Sequence, residues 1–242
     1  MRQEHWADLD VCISGGVDRR GGGEGPLVVL LHGFGAPGDD LVALEPYLKV
    51  PEEVRFVFPA APMKLTEVFG NACAWWMLDL ERITRARELG QWEELSQEVP
   101  RGLAPARTRI LDLLAVAKEQ LTVPSGSMVL GGFSQGAMLA TDIALYSDIQ
   151  LAGLVLLSGT LIAKQEWLTR LPERKGLPVF QSHGTADPIL AFSAAQELRL
   201  HIQNAGLPVQ WVEFQGGHEI PFQVLEYLGS FLRSVLYPVS KQ

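Results

Sequence analysis

The stretch Ser127-Met-Val-Leu-Gly-Gly-Phe-Ser-Gln-Gly-Ala-Met-Leu-Ala-Thr-Asp-Ile-Ala144 decides how this chain is read. A short apolar run, Met128 to Leu130, meets a glycine pair, and a helix-forming segment follows, with Ser134 at the corner between them. A strand-to-helix turn that sharp admits only small residues two places before and two places after its apex, and Gly132 and Gly136 occupy those places. Such a turn lifts the hydroxyl clear of the sheet and points the first amides of the helix at whatever the serine attacks. A bare Gly-x-Ser-x-Gly arises by chance in roughly one chain of this size in ten. The weight therefore rests on the strand before it, the helix after it and the partners elsewhere in the chain.

The chain has 242 residues, 47% of them hydrophobic and 20% charged, which predicts one large α/β domain over residues 1–242 with its core from about 26 to 236. A net charge of -8 and the absence of a basic cluster argue against nucleic acid as a partner. Cys12 and Cys73 form neither a metal-ligand spacing nor a disulfide framework, and read as small buried hydrophobes in a reducing compartment. Met1 to Leu9 lacks the apolar core of a signal peptide, and the longest apolar stretch, Leu151 to Ala163, is too short to span a bilayer. The expectation is a cytoplasmic protein without integral membrane contact, a monomer or homodimer.

Working outward from the elbow, Leu27 to Leu31 reads as a strand buried on both faces, as do Gly153 to Ser158 and Val179 to His183. Helix-like sequence separates them, the alternation that gives a mainly parallel sheet with helices on both faces. Asp10 to Ser14 reads as a first, edge strand, and Gly15 to Gly25 as a flexible hairpin tip. His5 falls in a frayed terminus on this reading. Asp39 or Asp40 is placed to cap a helix starting near Leu41. Val54 to Phe58 reads as another strand, and Pro59 to Asp79 as irregular. Leu80 to Arg101, dense in charge of both signs, reads as a solvated helical face or a cap over the site. Leu103, Ala106, Ile110, Leu114, Ala117 and Leu121 recur at helical spacing. Val209 to Phe214 alternates like an edge strand, and Phe222 to Leu236 has helical periodicity.

Gly33, Gly35 and Gly38 spell Gly-x-Gly-x-x-Gly after a strand, as a dinucleotide site would. Pro37 occupies a position where close helix packing is wanted, and the next strand ends in Pro59-Ala60-Ala61-Pro62 with no acid to hold a ribose. The loop serves better as an oxyanion hole, with the amide of Phe34 facing the Ser134 hydroxyl and the amide of Gln135 as second donor. His32 reads as a hydrogen-bonded loop histidine. Asp187, after the Val179 to His183 strand, and His218, between glycines and a helix start, lie where open α/β sheets place working residues.

Ser134, Asp187 and His218 thus come from three separate loops, in the chain order of α/β-hydrolases. Serine is unreactive at neutral pH, so an imidazole must accept its proton as it attacks a carbonyl. In this scheme His218 is the base, Asp187 fixes its tautomer, and the Phe34 and Gln135 amides hold the oxyanion. No cofactor and no metal is required. The apolar cluster at Trp75 and Trp76, with Leu65 and Leu190, is expected to wall an acyl pocket.

From about Pro26 to about Leu232 the chain resembles the phospholipase/carboxylesterase family of α/β-hydrolases, which includes the acyl-protein thioesterases. The resemblance rests on Leu31-His32-Gly33-Phe34-Gly35, Phe58-Pro59-Ala60-Ala61-Pro62, Ala74-Trp75-Trp76 with Asp79, Gly131-Gly132-Phe133-Ser134-Gln135-Gly136, His183-Gly184 with Asp187-Pro188, and Gly217-His218-Glu219. It implies a serine hydrolase that cleaves carboxylic esters or thioesters of apolar acyl groups, its substrate a small-molecule ester or thioester. Two departures stand out: Ala137 replaces a second glycine after the elbow, and Met77 and Leu78 separate the tryptophans from Asp79. The alternatives are a lysophospholipase working at lipid surfaces, a non-catalytic binding protein on a hydrolase fold, and a dinucleotide-dependent oxidoreductase.

Overall fold

The computed structural model describes residues 1–65 and 71–238. Residues 66–70, within the stretch read as irregular, lie outside them. In chain order, β1 (Arg2–Trp6), β2 (Leu9–Gly15) and β3 (Leu27–Leu31) lead through a 3-10 turn (Asp40–Tyr47) to β4 (Arg55–Pro59). A two-stranded ribbon, β5 (Met63–Lys64) and β6 (Cys73–Ala74), precedes α1 (Leu80–Leu89), α2 (Trp92–Gln97) and α3 (Leu103–Gln120). Then β7 (Met128–Phe133), α4 (Gln135–Leu145), β8 (Gly153–Leu157), α5 (Lys164–Arg170) and β9 (Val179–Gly184) alternate. The chain closes with α6 (Phe192–Asn204), β10 (Val209–Phe214) and α7 (Phe222–Leu236).

Eight strands form one sheet in the order β1-β2-β4-β3-β7-β8-β9-β10. From β4 to β10 all neighbours run parallel, and the β1–β2 hairpin adds antiparallel at one edge. The strand residues explain the layering. In β3, Leu27, Val29 and Leu31 face one core with α3 and α4, while Val28 and Leu30 face the other with α7. Burial on both faces is what a parallel sheet with helices on each side demands. The chain passes from β3 to β4 on one side and later to β7 on the other, so the crevice between the loops after β3 and β7 is a topological switch point.

Three expectations are corrected. Asp10 to Ser14 belongs to a strand that is not the edge: β1 covers it, and His5 sits in β1 with Nδ1 2.8 Å from Asp10 Oδ1. The hairpin turns at Ala7 and Asp8, both with positive φ (49° and 59°), the backbone of a tight two-residue turn without its usual glycine. Asp39 precedes a 3-10 helix, Asp40–Tyr47, but makes no side-chain cap bond to it, so the expected cap is not formed. The glycine-rich segment before β3 is pinned rather than free. Arg55, wholly buried on β4, donates to the carbonyls of Gly23, Gly25 and Leu121.

Candidate active site

Ser134 stands at the end of β7 with φ 54° and ψ −117°, a conformation that L-residues adopt only when their surroundings force it. The forcing atoms are visible. A Cβ on Gly132 would lie 2.5 Å from both the Gly136 carbonyl carbon and the Leu31 carbonyl oxygen, so the turn closes tightly against β3. Ser134 N donates to Leu157 O on β8 at 2.8 Å, and Ser134 O accepts from Ala137 N at 3.0 Å, which seats the residue between sheet and helix. Ala137, where relatives were expected to carry glycine, is accommodated by Gly159, whose own Cβ would come within 2.8 Å of the Ala137 methyl.

The loop after β3 lies against this turn: a Cβ on Gly33 would be 3.3 Å from Ser134 Cβ. Among the described residues, neither the Phe34 nor the Gln135 amide donates to a protein acceptor, so both are available for a ligand oxygen. His32 is enclosed, its Nδ1 2.8 Å from the Gly33 carbonyl and its Nε2 accepting from Ala61 N at 3.0 Å, and burial pushes its pKa down. It braces the loop. Gly38, third glycine of the dinucleotide-like pattern, is needed because a Cβ there would meet the Ala60 methyl at 2.2 Å. Close packing between two loops accounts for that glycine without a phosphate.

The Gln135 side chain, which the sequence marked only as part of the elbow motif, is buried and ties the elbow to the tryptophans. Its Oε1 accepts from Trp75 N at 3.0 Å and its Nε2 donates to Trp76 O at 2.8 Å. Trp75 Nε1 in turn donates to His32 O at 2.9 Å. Trp75 is therefore a strut between the two loops and does not line the cleft, contrary to the expectation, whereas Trp76 does. The two tryptophans sit in a bend just after β6, where the Trp75 indole turns back onto the His32 carbonyl and only Trp76 is left facing the cleft.

Asp187 and His218 meet above the carboxyl ends of β9 and β10, with His218 Nδ1 2.7 Å from Asp187 Oδ2. The other carboxylate oxygen accepts from Ile189 N at 2.8 Å and Leu190 N at 2.9 Å. Burial works to raise the Asp187 pKa, but the hydrogen bond and charge of His218 and the two amides outweigh it and hold the carboxyl below its usual range. Their loops are stitched together, Ala186 N donating to Gly216 O at 3.0 Å, and Gly184 approaches so closely that a Cβ would meet Gly217 O at 2.2 Å. The His218 ring also rests on Phe133, next to Ser134, with ring centroids 4.7 Å apart.

Ser134, Gln135, Phe34 and His218 line one cleft of about 1120 Å³, together with Leu65, Trp76 and Leu190. Asp187 stands behind His218, its side chain out of solvent. The other walls are largely apolar, with Ile83 from α1, Trp92 and Leu95 from α2, and Leu161. The charged segment over residues 80–101 is thus both solvated face and cleft wall. Asp79 Oδ1 accepts from Arg82 N at 2.9 Å at the start of α1, and the Arg82 guanidinium pairs bidentately with Glu98, joining α1 to the chain beyond α2. Among the described residues, no three His, Cys, Asp or Glu side chains are grouped to hold a metal ion, and no helix is long and apolar enough to cross a membrane.

Comparison with known proteins gives this geometry a family. Residues 17–236 match the model of the phospholipase/carboxylesterase family. An acyl-protein thioesterase 1 of Neurospora crassa is 27% identical over 222 residues, which are 88% of each chain. The acyl-protein thioesterase 1 of Emericella nidulans is 31% identical over 170 residues, 67% of this chain and 70% of that one. Among solved structures, esterase PE8 superposes with a TM-score of 0.78 at 28% identity, covering 94% of this chain and 99% of the other. The Bacillus cereus carboxylesterase, at 18% identity and a TM-score of 0.69, covers 94% of each and shares the fold. The chain belongs to the phospholipase/carboxylesterase family of α/β-hydrolases and is a carboxylic ester hydrolase of the esterase and thioesterase kind.

Proposed function

We propose that the protein cleaves esters or thioesters of apolar acyl groups through a covalent acyl-enzyme, with Ser134 as nucleophile, His218 as general base and acid, and Asp187 as its orienting carboxylate. The observation that carries this reading is the 2.7 Å bond between His218 and Asp187 on the same apolar cleft that Ser134 lines. A carboxylate at that distance from Nδ1 keeps the proton there, leaving Nε2 with a lone pair. Among the described residues neither Nε2 nor the Ser134 hydroxyl has a hydrogen-bond partner, and in such sites that bond commonly tightens only once substrate is bound.

In the first half-reaction Ser134 Oγ attacks the acyl carbon while His218 Nε2 takes its proton. The carbonyl oxygen becomes an oxyanion that the Phe34 and Gln135 amides receive, each such donor contributing roughly 10²–10³ in rate. The imidazolium then protonates the departing alcohol or thiol. In the second half-reaction a water loses its proton to Nε2, attacks the acyl-serine, and Ser134 is released. The apolar walls hold the acyl chain out of water, a gain of about 0.8 kcal/mol per buried methylene. Relatives named acyl-protein thioesterase support the thioester option.

A second reading, lysophospholipids drawn from a lipid surface, is favoured by the cleft's rim, where Met77 and Leu80 line the opening yet are 60% and 48% exposed. One experiment addresses both readings: initial rates of wild type and S134A on p-nitrophenyl and thioester substrates of rising acyl length, below and above their micellar threshold. Ser134→Ala is expected to abolish turnover and labelling by a fluorophosphonate, and rates should rise with chain length. A substantially active S134A defeats the acyl-enzyme. A jump in rate at the micellar threshold selects the lipid-surface reading.

A further inference from the structure

A second imidazole reaches Asp187. His183, the penultimate residue of β9, is wholly buried, and its Nε2 lies 3.0 Å from the Leu190 carbonyl oxygen and 3.3 Å from Asp187 Oδ2. Both neighbours are acceptors, so Nε2 carries the proton and donates. Among the described residues, its Nδ1 has no hydrogen-bond partner. A buried nitrogen left without a partner is costly, and such a group in a native fold calls for a reason.

The reason lies in what the opposite nitrogen holds. Asp187 Oδ1 is fixed by the Ile189 and Leu190 amides, which turns Oδ2 toward the two imidazoles. His183 Nε2 donates to the carbonyl of Leu190, the residue whose amide holds Oδ1, and stands 3.3 Å from Oδ2, so it braces the carboxylate from the interior. The titratable groups facing it are Asp187 and His218, and burial pushes the His183 pKa down, which keeps the ring a neutral donor. His218 approaches the same Oδ2 from the cleft and His183 from the interior.

We infer that His183 is a positioning residue of the proposed triad: its Nε2–H, bonded to the Leu190 carbonyl and 3.3 Å from Asp187 Oδ2, keeps the carboxylate where it receives His218. The inference rests on the acyl-enzyme reading and adds to it a fourth side chain that never touches substrate. It has a signature that packing alone lacks. The positive end of the His183 N–H beside Oδ2 offsets part of the charge that stabilises the His218 imidazolium, so losing it both loosens the aim and frees that charge. The first effect lowers kcat, and the second moves the acidic limb of the kcat/KM profile to higher pH.

The test uses the full chain and p-nitrophenyl butyrate, comparing wild type, S134A, H183F and H183Q from pH 5 to 9. His183→Phe is expected to lose about 10-fold or more in kcat with KM within about twofold, and to shift the acidic limb upward. His183→Gln, whose amide nitrogen reaches the place of Nε2, should recover most of kcat and the original limb. If H183F does not fold, H183N replaces it, because its shorter amide stops at the Nδ1 position. Wild-type kcat and pH profile in the loss variant overturn the inference, as does an H183Q no better than that variant. An active S134A would instead overturn the acyl-enzyme itself, so the two failures are told apart.

Discussion

A Cβ on Gly136 would stand 2.0 Å from the carbonyl oxygen of Leu31. The helix that starts at the elbow therefore enters against the backbone of β3 with no room for a methyl group, and neither partner is a flexible side chain that could move aside. Gly136→Ala should destabilise by more than the roughly 1–3 kcal/mol of ordinary overpacking, since backbone must shift. Gly126→Ala is the control: its φ is 71° but its Cβ would meet nothing within 4 Å. Thermal melting should separate them clearly, with G136A much the lower. Equal melting points would mean that the elbow is not as tight as its atoms suggest.

Gln135 bridges Trp75 and Trp76 through both ends of its amide. Gln135→Met keeps the volume but strands a buried N–H and a buried carbonyl, each worth roughly 1–3 kcal/mol when left unmet. Urea unfolding should show a lower midpoint with an unchanged slope. Because the same segment walls the cleft at Trp76, the variant should also lose activity on long acyl esters more than on short ones. A midpoint within error of wild type would remove the clamp from the account.

Asp187 is held below its ordinary pKa in the fold, so the unfolded chain takes up its proton first as pH falls. Its contribution is fully present above the unfolded value of about 3.9 and is lost as pH drops through the lower folded value. Asp187→Asn has no such titration, and its amide nitrogen faces two imidazole donors. The stability gap between wild type and D187N should be wide at pH 7 and narrow below about pH 4. Denaturation midpoints at several pH values read this directly, and a gap that stays constant into acid would contradict it.

Leu95 on α2 lines the cleft together with Ile83 and Trp92. Leu95→Trp adds volume on that wall without reaching the elbow by sequence or by secondary structure. Butyryl ester hydrolysis should stay within about threefold of wild type, while longer acyl esters lose about 10-fold or more, each methylene being worth about 1–3 kcal/mol of discrimination. Uniform loss across the series would mean that α2 does not bound the acyl chain.

The parallel strands were legible because burial on both faces leaves unbroken runs such as Leu27 to Leu31, and α3 and α7 because their apolar residues keep helical spacing. The edge hairpin was not. Its turn uses Ala7 and Asp8 where Asn-Gly would have announced it, and β1 alternates too weakly to stand out. Sequence separated Ser134, Asp187 and His218 from the background because each sits in a loop after a strand-like run. His183 stood out only as a strand end and part of a family motif, and the Gln135 side chain only as a motif residue, so neither revealed its contacts. Which of Trp75 and Trp76 faces the cleft depends on the direction of one peptide, which no spacing encodes. Arg55 likewise gains its meaning from carbonyls up to 66 positions away.

Every residue of α4 is enclosed, whereas α1 and α2 keep most of their surface in water while contributing side chains to the cleft. Substitutions are tolerated where little else depends on them, so the two halves of this site face unequal freedom to change. A lineage carrying this fold can retune which acyl chain it accepts through drift in its outer helices, while the helix that follows Ser134 stays fixed by everything packed around it. Diversity among such proteins should accordingly gather over residues 80–101 and thin out from Gln135 to Leu145.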